Sequence, residues 1–153
     1  MKYRFAVASL LCLGAAVAVV FLIHSNPTVP PLHGTPVTVV AALDGSDLTL
    51  EIAETPDERR QGLSDRSSLG ALDGMLFVFA EEGRHSMWMK DMLFSLDIIW
   101  IDSERRVVFI EEYVSPETYP RTFASPEPAR YVLEVDAGRA SEEGWDLGSV
   151  LEL

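Results

Sequence analysis

The sequence predicts a mainly β domain of the α+β class, a small barrel-like or sandwich domain with one or two short helices. Three observations predict it. Short apolar runs, alternating or β-branched, recur along the chain after residue 36. Turn signals built from Gly, Pro and Asp separate them at short intervals. Only two segments carry helix signals, too few for a helical layer.

Val37–Leu43 is a β-branched run, Asp44-Gly45 a turn, and Leu48–Ala53 an alternating run, so the three read as a hairpin. Thr55-Pro56-Asp57-Glu58 is a helix start: Thr55 caps, Pro56 takes the first helical position and Glu58 reaches back. Gly62 closes that helix early, and Arg59 and Arg60 suit the negative end of its dipole. Met75–Phe79 reads as a buried strand and Ser86–Lys90 as another. Leu96–Asp102 and Arg106–Ile110, parted by a polar turn, form a second hairpin. Ser115–Pro128 holds four prolines and reads as a long loop. Tyr131–Val135 is a strand, Arg139–Gly144 one or two helical turns, and Gly148–Leu151 a closing strand. The total is seven or eight strands, with no internal repeat.

Ahead of this domain, residues 5–23 form an uncharged apolar run of 19 residues, close to the length that crosses a bilayer. Lys2 and Arg4 precede it and orient the N-terminus inward. A signal anchor is the first reading of residues 1–24, a cleaved signal peptide the second, and a lipoprotein at Cys12 the third. All three put the domain on the extracytoplasmic, periplasmic side of the inner membrane. Residues 25–36 hold four prolines and form an extended linker, leaving 37–153 as a single globular domain.

The whole chain carries a net charge of -12, and the part after the leader holds 10 basic and 24 acidic residues. Such a surface repels phosphate backbones, so no nucleic-acid partner is expected. Cys12 is the only cysteine, which excludes an intrachain disulfide and a thiolate zinc site. No Gly-rich phosphate loop and no G-x-S-x-G elbow occurs, and no cofactor is expected.

Four motifs in order resemble one family. They are Glu54-Thr55-Pro56-Asp57-Glu58-Arg59-Arg60-Gln61-Gly62-Leu63, Asp73–Phe79, Met87-Trp88-Met89-Lys90 with Leu96–Asp102, and Ala129–Val135 with Ala137-Gly138. Together they resemble domain-of-unknown-function family 192, uncharacterised proteins of bacteria and archaea, over roughly residues 37 to 153. The resemblance implies a compact, mostly β fold, often exported behind a signal segment, and implies no particular activity. The chain departs from the family pattern at Ser64 (usually Met), Asp91-Met92 (usually Asn-Thr) and Ser95 (often Pro). A contact made by the Asn in relatives does not carry over simply to Asp91, which adds a charge.

Candidate chemistry gathers between Arg66 and Asp97. On a strand, His85, Met87 and Met89 point one way, and Trp88 and Lys90 the other. An imidazole and two thioethers on one face suit Cu(I); the plainer alternative is that the methionines fill the core. Asp97 interrupts an apolar strand and needs a partner. Lys90 is the first expectation, with Arg66 or Arg130 as alternatives. A carboxylate that orders a turn by accepting backbone N–H groups is a further reading. Arg66 is either a bidentate donor to a ligand or a tie to backbone carbonyls. Glu134, by alternation, reads as a surface residue.

The leading expectation is an exported module that binds a small polar ligand or an envelope partner through Arg66, Trp88, Lys90 and Asp97, with Trp88 stacking on a ring-shaped ligand. An enzyme using Lys90 and Asp97 as an acid-base pair is the second, and a Cu(I) carrier using His85, Met87 and Met89 the third.

Overall fold

The structure is a computed structural model that describes residues 36–153. The leader and most of the linker lie outside the described residues, and with them the anchor, signal-peptide and lipoprotein readings.

The mainly β expectation holds: the domain is a curled half-barrel sheet with two short helices. Strands β1 (Thr38–Leu43) and β2 (Ser46–Ala53) form the first hairpin, turning at Asp44-Gly45. Helix α1 (Pro56–Gln61) follows, with the capping box in place: Glu58 N–H donates to Thr55 Oγ1 at 3.2 Å, and Thr55 N–H donates to Glu58 Oε2 at 2.9 Å. Such a cap is worth about 1 kcal/mol, enough to fix where so short a helix begins. Strand β3 (Gly74–Gly83) then runs parallel to β2. Parallel neighbours need a crossover, and α1 with the loop behind it is that crossover. Strands β4 (Ser86–Trp88), β5 (Leu96–Ile101), β6 (Val107–Val114), β7 (Thr122–Ala124), β8 (Ala129–Asp136) and β9 (Leu151–Glu152) complete the set, with helix α2 (Arg139–Glu143) between the last two. The segment read as a plain loop over 115–128 contains a 3-10 turn at Pro116–Thr118 as well as β7.

Seven strands form one sheet in the order β6-β5-β8-β3-β2-β1-β9, and β4 pairs with β7 in a separate ribbon. The sheet is covered on both faces. One face carries Ala53, Met75, Phe77, Ile98, Trp100 and Val132, packed under Leu63 and Leu69 of the crossover and under Met87, Met89 and Phe123 of the ribbon region. The other carries Leu50, Leu76, Ile99 and Leu133, packed against Ala140 and Trp145 near α2. Double coverage explains the near-continuous apolar run of β5, whose six residues are all buried.

The C-terminal segment laces the two sheet edges together. Val107 N–H donates to Ser149 O and Leu151 N–H to Arg105 O, both at 2.9 Å, beside β6. On the other edge β9 pairs with β1, and Asp44 accepts from Ser149 Oγ at 2.5 Å and Val150 N–H at 2.9 Å. Those two bonds hold the Asp44 carboxyl below the usual range.

Candidate functional site

A cleft of about 90 Å³ opens between the crossover and the ribbon. Its walls come from Arg59 to Ser64, from Phe77 on β3, from Met87 and Trp88 on β4, from Met92, and from Glu134 on β8. Each wall has a local cause. The capping box and Gly62, whose φ of 49° favours glycine, end α1 against β3, where a Cβ on Gly62 would meet the Phe77 ring at 3.2 Å. Strand alternation in β4 turns Met87 into the core and leaves Trp88 48 % exposed. The loop after β4 is stitched to the crossover by Ser64 Oγ donating to Lys90 O at 3.0 Å and Asp65 N–H donating to Asp91 O at 2.8 Å.

Glu134 is the residue that reading β8 by alternation alone misplaces. It is 4 % exposed, not on the surface. Paired residues share a face of the sheet, so Glu51, Met75, Glu134 and Ile98 stand side by side on one rung. That is the face the crossover and ribbon cover. No protein group among the described residues donates a hydrogen bond to its carboxyl, and burial pushes it up to about 8. The signal that could have found it is the length of the apolar pattern around it: Val132, Leu133 and Val135 are the mark of a strand buried on both faces.

The expected site residues do not come together. Asp97 is fully buried, and its carboxylate accepts from Tyr113 N–H at 2.9 Å, Gly138 N–H at 2.9 Å and Ala140 N–H at 3.0 Å. It thereby caps the first turn of α2 from another strand and ties down the β6 bulge at Tyr113, whose φ is 55°. Lys90 points outward, with its amine 3.7 Å from Asp91. The Lys90–Asp97 pair and the acid-base reading built on it are therefore corrected; backbone donors satisfy the carboxylate better than a solvated amine. Arg66 is a bidentate donor, as one reading had it, but to Glu51 at 2.7 and 2.8 Å and not into the cleft. Of the four expected residues, Trp88 is the one that lines the cleft.

The copper reading is also corrected. Met87 and Met89 are buried members of the apolar core. His85 stacks on Phe79 with ring centroids 3.5 Å apart, and its Nε2 lies 3.1 Å from Glu81 O. No cluster of three or more His, Cys, Asp or Glu residues suited to a metal forms among the described residues. Asp91 has φ 55°, a left-handed position that Asn and Asp tolerate better than most residues.

Relatives are known by sequence and by structure. A UPF0127 protein of Thermococcus gammatolerans is 35% identical over 91 residues, covering 58% of this chain. The match spans only 56% of that relative's length. A solved structure from Sinorhizobium meliloti, described as a candidate transcription regulator, superposes with a TM-score of 0.73 at 35% identity, over 78% of this chain and 95% of the other. A protein of unknown function from Novosphingobium aromaticivorans gives 0.71 at 26% identity, over 79% and 94%. The model of family DUF192, described as Uncharacterized ACR, matches residues 39–153, nearly the whole described domain with all four motifs, and the chain belongs to that family.

Proposed function

We propose that this domain is a binding module that takes one small polar group of a ligand into the cleft under Trp88, with Glu134 as its polar anchor. The observation that carries the reading is the lone carboxyl of Glu134. Glu134 is buried, lines the cleft and accepts no hydrogen bond from a protein group among the described residues. A carboxylate so desolvated is costly to keep charged, and a strongly shifted carboxyl on a cleft wall is a functional-site candidate. The cleft is small against those that swallow whole ligands. It suits one end of a molecule, with the remainder resting on the exposed Trp88 ring. Leu93, 63 % exposed one residue beyond the Met92 wall, extends that apolar rim and would suit an envelope protein presenting a side chain to the cleft.

The uncharged run at 5–23 supports delivery of this module across the cytoplasmic membrane. Alkaline phosphatase fused after residue 36 is then active in cells; an inactive, cytosolic fusion refutes the placement. The description of the S. meliloti relative as a regulator is not carried over, because the acidic surface repels nucleic acid.

A thermal-shift screen of the full chain against polar metabolites tests the binding reading. A ligand that stabilises the wild type and not Glu134→Gln or Trp88→Ala supports it. Ligands that act equally on all three proteins refute the site.

A further inference from the structure

We infer that the group this cleft takes is a cationic amine, held as an ammonium by the Glu134 carboxylate beside the Trp88 ring, and that its binding expels one proton to solvent. The inference rests on the binding reading above and names the ligand class.

Three kinds of group can meet a lone carboxyl: an anion, a neutral hydroxyl or amide, and an ammonium. An anion needs a free cation, and the two at the mouth are engaged. Arg59 donates to the carbonyls of Glu54 and Val78 and lies 5.0 Å above the Phe79 ring. Arg60 donates to Asp57 at 2.5 Å. A neutral hydroxyl gains one ordinary hydrogen bond and leaves the carboxyl as it was. An ammonium gains more. It supplies the counter-charge that the buried carboxylate lacks. The cleft walls are soft and polarisable, with thioethers from Met87 and Met92 and aromatic rings from Phe77 and Trp88. The chain's net charge of -12 favours cations over anions around the molecule as a whole. About 90 Å³ admits an ammonium and its neighbouring carbons, with the rest emerging past Trp88.

The proton balance follows from burial. Empty, Glu134 holds its proton through neutral pH. Bound to an ammonium it must be a carboxylate, so one O–H bond breaks and the proton leaves to water. The other charged groups facing this region are already matched or lie further off. On β2, Glu51 is paired with Arg66. On β6, Glu111 has Arg121 at 3.8 Å. Arg130, four residues back along β8 on the same face, has a buried Nε without a partner and does not line the cleft. His85 stacks on Phe79 and does not line the cleft.

The test is a titration of the full chain, carrying labelled methionine methyl groups, with methylammonium and ethanolamine. Methanol, ethylene glycol and acetate serve as matched probes. The amines shift the Met87 and Met92 methyl signals saturably, and their affinity rises roughly thirtyfold from about pH 6.5 to about pH 9. Glu134→Gln abolishes the shift, Trp88→Ala weakens it, and His85→Gln keeps the pH profile. If glycol or acetate moves those signals and the amines do not, the ligand class is wrong while the binding cleft stands. Amine binding with a flat pH profile removes the proton release. If no probe binds, the binding reading falls along with the inference.

Discussion

Glu51 and Glu134 stand two strands apart on one face of the sheet, with Met75 between them. Strand spacing puts them about 10 Å apart. Glu51 has a forked guanidinium at 2.7 and 2.8 Å, and Glu134 has none. The difference should be visible in stability. The folded chain binds the Glu134 proton more tightly than the unfolded chain, whose carboxyl has the ordinary value of 4.5. This contribution is therefore full below that value and is lost as pH rises toward about 8. Between about pH 5 and about pH 7.5 the wild type should lose about 3 kcal/mol relative to Glu134→Gln, which has no proton to give up. Urea unfolding of both proteins across that range checks it, and parallel curves would show that Glu134 does not titrate there. Asp97 is the contrasting case, a buried carboxylate with all its bonds made. Asp97→Asn turns an amide N–H₂ toward backbone donors and should destabilise by about 3 kcal/mol. Amide exchange should quicken first at Gly138 and Ala140, where α2 begins.

At the scale of elements, the crossover makes the cleft. The parallel β2–β3 pair obliges the chain to cross the sheet face, and α1 rides on that crossing. Gly74 starts β3 where its backbone nearly touches that of β8: a Cβ there would lie 2.4 Å from the Glu134 carbonyl oxygen and 3.0 Å from a Val135 methyl. Gly74→Ala must therefore push β3 and β8 apart and move the Glu134 rung. It should destabilise by about 3 kcal/mol and abolish probe binding in the cleft. A Gly74→Ala domain with wild-type unfolding and unchanged Met87 and Met92 signals would contradict this packing. The capping box at Thr55 and Glu58 was readable in the sequence because capping is local, decided within four residues. The burial of Glu134 was not. It depends on which side of β8 the crossover and the β4–β7 ribbon come to cover, and those elements lie far off along the chain.

For the molecule as a whole, the C-terminal segment closes the curl. Residues 148–151 bond to the start of β6 on one edge and to the end of β1 on the other. A segment so short and so near the chain end usually contributes little, yet this one joins β6 and β1, which are otherwise five places apart in the pairing order of the seven-stranded sheet. Ending the chain after Asp146 should remove both sets of bonds and uncover Leu43 and Val107, which are buried. A loss of about 3 kcal/mol or more is expected, read as a lower midpoint in urea. A truncated chain as stable as the full one would show that the sheet holds its curl unaided.

By itself the sequence determined the strand-rich class, the hairpin at Asp44-Gly45, the capped α1, the inward and outward sides of β4 and the family motifs. All of these are set by local periodicity, turn chemistry and short-range hydrogen bonds. Tertiary structure alone decided the partners of the ionisable residues. Asp97 met backbone donors, Lys90 met Asp91, Arg66 met Glu51, and Glu134 met none. The physical reason is that a charge's fate depends on the groups the fold brings within a few ångströms, and in a sheet whose sequence neighbours are not its strand neighbours, those groups come from distant parts of the chain.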